Sequence, residues 1–216
     1  MSDSAFQRCI RPTCGATVAL DDTSFECPTC GSLMDVAYDW DRVRPPRNLK
    51  EFEAKWARRS EPLEFSGVWR FRALFPFAED DRILTIGEGQ TLTQRSDAVG
   101  KYIGLAPGRL YLQYEGMNPS GSFKDNGMTA AFAHARLVGA RRAACASTGN
   151  TSASLAIYCA ATDLMRAVIF IGSGKISYGK LAQALDHGAL TVQIAGDFDD
   201  ALARVQQVSR QLGIYL

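Results

Sequence analysis

The sequence predicts an α/β protein built on a mostly parallel sheet with helices on both faces, preceded by a small module that carries four cysteines. Three observations lead there. From Leu110 onward, short apolar runs alternate with segments of helical period, as in a parallel sheet whose ligands sit beyond the strand C-termini. Two strand-to-helix junctions, 118–127 and 146–151, are turns of small hydroxyl, amide and glycine residues. Finally, Cys9, Cys14, Cys27 and Cys30 crowd near the start of the chain.

Composition narrows the function classes. With 216 residues and 46% hydrophobic content the chain can bury a core in one or two domains. Its 24 basic and 23 acidic residues leave a formal charge of +1, a balance that predicts neither a nucleic-acid partner nor a membrane surface. No apolar run approaches the roughly 20 residues that span a bilayer. The stretch from Met1 to Cys9 lacks the apolar core of a secretory signal, so a cytoplasmic location is expected.

Residues 1–40 read as a zinc-ribbon-like module. Cys9-x4-Cys14-Gly15 and Cys27-Pro28-x-Cys30-Gly31 are two knuckles, each closed by a glycine that lets backbone N–H groups turn toward thiolate sulfur. Two disulfides are the competing arrangement, which a reducing compartment disfavours. Zinc is the expected ion, although iron accepts the same ligands. Four protein ligands leave no open position, so the role is structural.

Residues 41–109 read as a connector and the first part of the larger fold. The segment 44–48 breaks regular structure, and 49–59 carries a helical pattern with Phe52 and Trp56 four apart. Nine Lys/Arg against four Glu between Arg42 and Arg72 suggest a nucleic-acid surface. The interleaved Trp40, Phe52, Trp56, Phe65, Trp69 and Phe71 favour packing of rings against a neighbour, with the arginines left wet.

Residues 110–216 form a partial cofactor-binding α/β domain. Strands are predicted at 110–114, 142–146, 166–171 and 190–195, and helices at 126–138, 151–161, 176–187 and 198–212. The segment 213–216 looks like the start of another buried strand. Cys145 and Cys159, isolated in apolar surroundings, are expected to pack as small hydrophobes. The lysine of Asn118-Pro119-Ser120-Gly121-Ser122-Phe123-Lys124-Asp125-Asn126-Gly127 sits on a Gly/Ser turn at a helix start, a position suited to holding a carbonyl cofactor as an imine. Ser147-Thr148-Gly149-Asn150-Thr151 offers a nest of N–H groups for an anion beside it; a plain helix cap by Ser147 or Thr148 is the alternative.

The turn 118–127, the segment 147–151 and the run Gly174-Lys175-Ile176-x-x-Gly179-Lys180-Leu181-Ala182-Gln183-Ala184, in this order, resemble the threonine synthases, pyridoxal-phosphate enzymes of the tryptophan-synthase-β-like fold (fold type II). Gly87-Glu88-Gly89-Gln90-Thr91-Leu92 is similar to that family's Gly-Glu-Gly-x-Thr-Pro segment, and a four-cysteine ribbon occurs in members of this branch. Leu92 stands where proline is usual, and Gly172 replaces a proline ahead of the Gly-Lys-Ile motif; both departures bear on loop stiffness. Members of the family continue well past Leu216, so the resemblance implies an N-terminal portion of such an enzyme, and incomplete sheet edges favour a homo-oligomer.

The resemblance implies that Lys124 forms the imine with pyridoxal 5′-phosphate and moves protons between substrate carbons. It implies that Asn150 hydrogen-bonds the cofactor's 3′ oxygen, and that Ser147, Thr148, Gly149 and Thr151 receive an anionic amino-acid substrate. The implied reaction converts O-phospho-L-homoserine and water to L-threonine and phosphate. Lys180 is expected at the surface, and Lys175 is open between surface and anion binding. A cysteate synthase or a threonine/serine dehydratase of the same fold are the enzyme alternatives, and a non-catalytic zinc-ribbon binding protein the alternative of another class.

Overall fold

The computed structural model describes residues 4–173 and 177–216. In the first strand, β1 (Ala5–Cys9), Ala5, Gln7 and Cys9 are buried and Arg8 is exposed, the period of two of a half-covered strand. β2 (Thr17–Val18) and β3 (Met34–Tyr38) flank it, both antiparallel, in the order β2-β1-β3. Gly15 and Gly31, the residues that close the two cysteine knuckles, adopt φ of +64° and +69°. Glycine enters that left-handed region without the penalty a Cβ imposes.

The connector holds two short helices, α1 (Lys50–Trp56) and α2 (Pro62–Phe65), followed by a 3₁₀ turn over Trp69–Leu74. Trp69 is fully buried against Phe75 and Phe77, and its indole N–H donates to Thr129 Oγ1 at 2.7 Å. Some of the arginines are less wet than their sequence setting suggests. Arg70 lies over the rings of Trp56 and Phe71, at 4.7 and 5.2 Å, while Arg72, joined from the exposed side by Arg58, reaches the buried Glu64 at 3.0 Å. Such partners offset the cost of burying a carboxylate.

The strand expected at 110–114 exists but lies outside the parallel sheet. As β5 (Tyr111–Tyr114) it pairs antiparallel with β4 (Leu92–Arg95), the two joined through α3 (Asp97–Tyr102). All eight residues of the two strands are exposed. A short apolar run does not specify its partner, and here the segment nearest in sequence supplies it.

The parallel sheet consists of β6 (Arg142–Ala146), β7 (Arg166–Gly172) and β8 (Leu190–Ile194), in that spatial order. Its helices are α4 (Lys124–Leu137), α5 (Asn150–Thr162), α6 (Tyr178–Asp186) and α7 (Phe198–Leu212). β7 is buried along its length after Arg166, which explains its unbroken apolar run. Ile169 and Ile171 face a core with Phe132, Leu155 and Tyr158, whereas Val168 and Phe170 face one with Ala201 and Val205. Cys145 and Cys159 belong to the first of these cores, and burial pushes both thiols up to about 12.

After α7, which opens with a reciprocal capping box of Asp197 and Asp200, the chain returns to the free edge of β6, where Tyr215 bridges Ala143 in parallel. The winding therefore reverses at β6, and the crevice beyond its C-terminal end is the switch point at which open α/β sheets bind ligands. His134 on α4 ties the cysteine module to this unit: one ring nitrogen lies 2.7 Å from the Leu20 carbonyl and the other 2.9 Å from the Tyr215 hydroxyl. Among the described residues no helix is long and apolar enough to cross a membrane.

Candidate active site

Lys124 is the first residue of α4, which begins two residues ahead of the expected helix. It is half-buried, and its Nζ stands 4.5 Å from the centroid of the exposed Phe123 ring, a cation–π distance. The turn before it is held from several directions. Asn118 Oδ1 accepts the Gly89 N–H at 2.8 Å. Asp125 accepts both the N–H and the hydroxyl of Ser120, at 2.7 and 2.6 Å. The Ser120 carbonyl accepts from Lys180 Nζ at 2.9 Å and from Gln183 Nε2 at 3.2 Å.

These bonds explain the glycines of the Gly87-Glu88-Gly89 turn. Gly89 has φ +79°, and a Cβ there would lie 2.8 Å from the backbone of Gly67. They also correct the placement of Lys180, which is partly buried against the lysine turn rather than at the surface; its sequence neighbours give no hint of a partner 60 residues away. Gly174, Lys175 and Ile176 lie outside the described residues. Gly172 has its own reason: a Cβ there would clash with the Asp197 carbonyl, so close backbone approach replaces the stiffness of a proline.

The second segment leaves β6 at Ser147, whose N–H still bonds the Phe170 carbonyl of β7 at 3.1 Å. Ser147 Oγ accepts the Gly149 N–H at 3.1 Å, and α5 begins at Asn150 with no side chain capping it. Neither Ser147 nor Thr148 is the cap of α5, whose N-cap is Gly149, and a helix start without a side-chain cap leaves backbone N–H groups of the kind that suit an anion. Ser147, Thr148, Gly149, Asn150 and Thr151 are all half-buried, and a Cβ on Gly149 would meet nothing within 4 Å.

One hydrogen bond sets the two segments side by side. Ser154, one turn into α5, donates to Asp125 Oδ1 at 2.5 Å, and Asp125 follows Lys124. This bond joins the first turn of α4, which begins at Lys124, to α5, which begins at Asn150. Asn126 Oδ1, two residues from the lysine, is buried without a hydrogen-bond partner. The Lys124 amine, the NH2 group of Asn150 and the uncapped start of α5 are a donor set that fits an anionic carbonyl cofactor. Sequence reasoning missed Glu88, Asp125, Tyr158 and Gln183; all but Tyr158 stood inside recognised motifs, beside residues that drew attention for their chemistry.

The four cysteines converge as expected. Their sulfurs all lie within 4.8 Å of one another, with Cys9 to Cys30 at 3.5 Å and Cys14 to Cys27 at 3.8 Å. A tetrahedron with metal–sulfur bonds of about 2.3 Å has edges of about 3.8 Å, whereas a disulfide needs about 2.05 Å. Hydrogen bonds from the side chain and backbone of Ser32 pull the Cys30 thiol down to about 6. A cavity of about 750 Å³ opens between this module and the base of the sheet, lined in part by Phe25, Arg141, Arg142 and Arg210. It contains no residue of the lysine turn. Arg210 is held there by Glu26 at 2.7 Å and lies over the Phe25 ring at 4.9 Å.

Comparison with known proteins agrees with this geometry. Residues 84–216 match the family model described as pyridoxal-phosphate dependent enzyme. Threonine synthase of Methanocaldococcus jannaschii is 39% identical over 210 residues, which is 97% of this chain and 48% of that protein. Threonine synthase of Methanosarcina acetivorans is 40% identical, over 97% of this chain and 47% of that protein. That of Halalkalibacterium halodurans is 44% identical over 146 residues, 68% of this chain and 40% of that protein. The chain spans about half the length of the curated relatives it matches along nearly all its residues. Maize serine racemase superposes with a TM-score of 0.51 at 16% identity, over 78% of this chain and 43% of that one, a likeness of fold.

Proposed function

We propose that this chain, which belongs to the pyridoxal-phosphate-dependent enzyme family, is the lysine-bearing portion of a threonine synthase. The observation that supports the reading is the Asp125–Ser154 bond, which ties the first turn of α4, where Lys124 stands, to α5. The assigned reaction is O-phospho-L-homoserine plus water giving L-threonine plus phosphate. The names of the relatives favour it over a cysteate synthase or a dehydratase of the same fold.

Bound pyridoxal 5′-phosphate supplies an electron sink for carbanions beside the amino-acid nitrogen. Lys124 is the residue that holds the cofactor's carbonyl carbon and accepts and returns the protons moved between substrate carbons. Asn150 donates to the ring oxygen. Ser147, Thr148, Gly149 and Thr151 receive the substrate's carboxylate or phosphate through hydroxyl and backbone N–H groups. Lys180, anchored on the Ser120 carbonyl, adds positive charge next to the same turn. In this reading residues 1–40 are a structural zinc ribbon on Cys9, Cys14, Cys27 and Cys30, 41–109 a connector with the first part of the catalytic fold, and 110–216 part of the cofactor domain. Thiolate ligands kept reduced fit the cytoplasm.

The test uses the full natural polypeptide, incubated with pyridoxal phosphate, reduced with borohydride and mapped by peptide mass. The expected result is one adduct on Lys124 and phosphate release from O-phospho-L-homoserine, with Lys124→Ala slowing turnover by roughly a hundred- to ten-thousand-fold. An adduct confined to another lysine, or none, overturns the assignment.

A further inference from the structure

Lys124 stands on backbone that two wholly buried carboxylates hold. Glu88, from the Gly87-Glu88-Gly89 turn, and Asp125 are both 0% exposed. Glu88 Oε1 accepts the hydroxyls of Ser66 at 2.5 Å and Thr85 at 2.8 Å; Oε2 accepts the Ile86 N–H at 3.1 Å and the Tyr158 hydroxyl at 2.6 Å. Partner geometry settles the proton directions. Ser66 Oγ already accepts N–H groups from Val68 and Trp69, and Thr85 Oγ accepts one from Gly87, which leaves both hydroxyl protons for Glu88.

Asp125 accepts from Ser120 twice and from Ser154. Among the described residues neither carboxylate has a basic side chain in ion-pair range. Tyr158, also fully buried, spans the two, its hydroxyl 2.6 Å from Glu88 Oε2 and 3.2 Å from the Asp125 carbonyl oxygen. Burial, reinforced by the charge of Glu88, drives the phenol far above its usual range and keeps it a donor.

Burying a carboxylate away from any cation is costly, and hydrogen bonds offset that cost only when their geometry is kept. A fold that does so twice behind one helix start gains rigidity there. We propose that Asp125 and Glu88, joined through Tyr158, are positioning residues for Lys124, holding the Ser120–Asp125 turn against α5 so that the lysine amine meets its cofactor without reorganising the backbone. Ser120 is the point of grip. Its N–H and hydroxyl are taken by Asp125 and its carbonyl by Lys180 and Gln183, which clamps the residue from both sides. A catalytic group held this way reaches its reacting partner with less ordering still to be done. The proposal rests on the reading of Lys124 as the cofactor lysine.

The test compares wild type, Tyr158→Phe and Asp125→Asn in the full natural polypeptide. Tyr158→Phe removes one hydroxyl and keeps the ring, so it is the variant expected to fold in every case. In the cofactor-free protein, hydrogen exchange of the amides from Ser120 to Asp125 should quicken about tenfold in both variants while amides of α7 stay within twofold. With pyridoxal phosphate added, trapping on Lys124 should slow about tenfold. Unchanged exchange at 120–125 in Tyr158→Phe, or acceleration spread equally over α7, overturns the proposal whatever Lys124 does. Trapping at the wild-type rate despite faster local exchange also overturns it. If wild type itself gives no adduct on Lys124, the cofactor-lysine reading fails, and the exchange result alone still decides whether the two carboxylates hold the turn.

Discussion

The cysteine cluster and the lysine turn both hang on short turns with glycine, yet they are assembled in opposite ways. All four sulfurs of the cluster come from two knuckles within one small three-stranded sheet. The lysine turn is fixed by side chains and backbone of residues 89, 154, 180 and 183, brought in by three separate segments. In the proposed reading, the locally coded site is a zinc ribbon that leans on its ion to stay folded. A site coded across the chain is stabilised by the whole α/β unit and is ready before any ligand arrives.

Stripping the proposed zinc is the sharpest way to break that comparison. A chelator, or Cys27→Ser, should unfold the cysteine module, since structural zinc sites contribute on the order of 10 kcal/mol to small ribbons. Hydrogen exchange should show protection lost in β1 to β3 and kept in β6 and β7. If β6 and β7 lose protection equally, the module is part of one cooperative unit with the sheet and the contrast fails.

Removing Trp69 attacks the other site from behind. Its ring is wholly buried and its N–H holds Thr129 on the lysine helix. Trp69→Ala should cost about 3–5 kcal/mol in denaturant unfolding of the α/β unit, with metal content unchanged. A smaller cost confined to the connector would mean that α4 is supported from the sheet side alone.

His134→Ala tests the link between the two regions. It removes the bonds to Leu20 and Tyr215, and a loss of about 1–2 kcal/mol is expected, with metal stripping then leaving α4 exchange rates untouched. A double-mutant cycle between His134→Ala and Tyr215→Phe should give a coupling energy of several tenths of a kcal/mol or more. Arg210→Ala sits at the bottom of the scale. It breaks an ion pair to Glu26 in which both side chains are about half exposed, and thermal unfolding should change by about 0.5 kcal/mol or less.

The same contrast explains what could be read ahead of the structure. Cys9, Cys14, Cys27 and Cys30 announced their convergence because sequence spacing alone brings their sulfurs together. β7 and α7 were legible because burial on both faces and an amphipathic stripe each leave a periodic trace. Glu88 and Asp125 left none. An acidic residue in a glycine turn or a first helical turn has the same appearance whether it points to solvent or into a core.

By itself, then, the order of residues determined the cysteine knuckles and the alternation of strands and helices after the lysine turn, and it singled out Lys124 and the 147–151 segment as the candidates for chemistry, because each depends on neighbours a few positions apart. Only the tertiary structure decided that β5 leaves the parallel sheet for β4, that Lys180 grips Ser120 from α6, and that Tyr158 joins two buried carboxylates behind Lys124. Those outcomes depend on which distant surfaces meet when the core closes, and burial turns an ordinary Asp, Glu or Lys into a group that must find a partner.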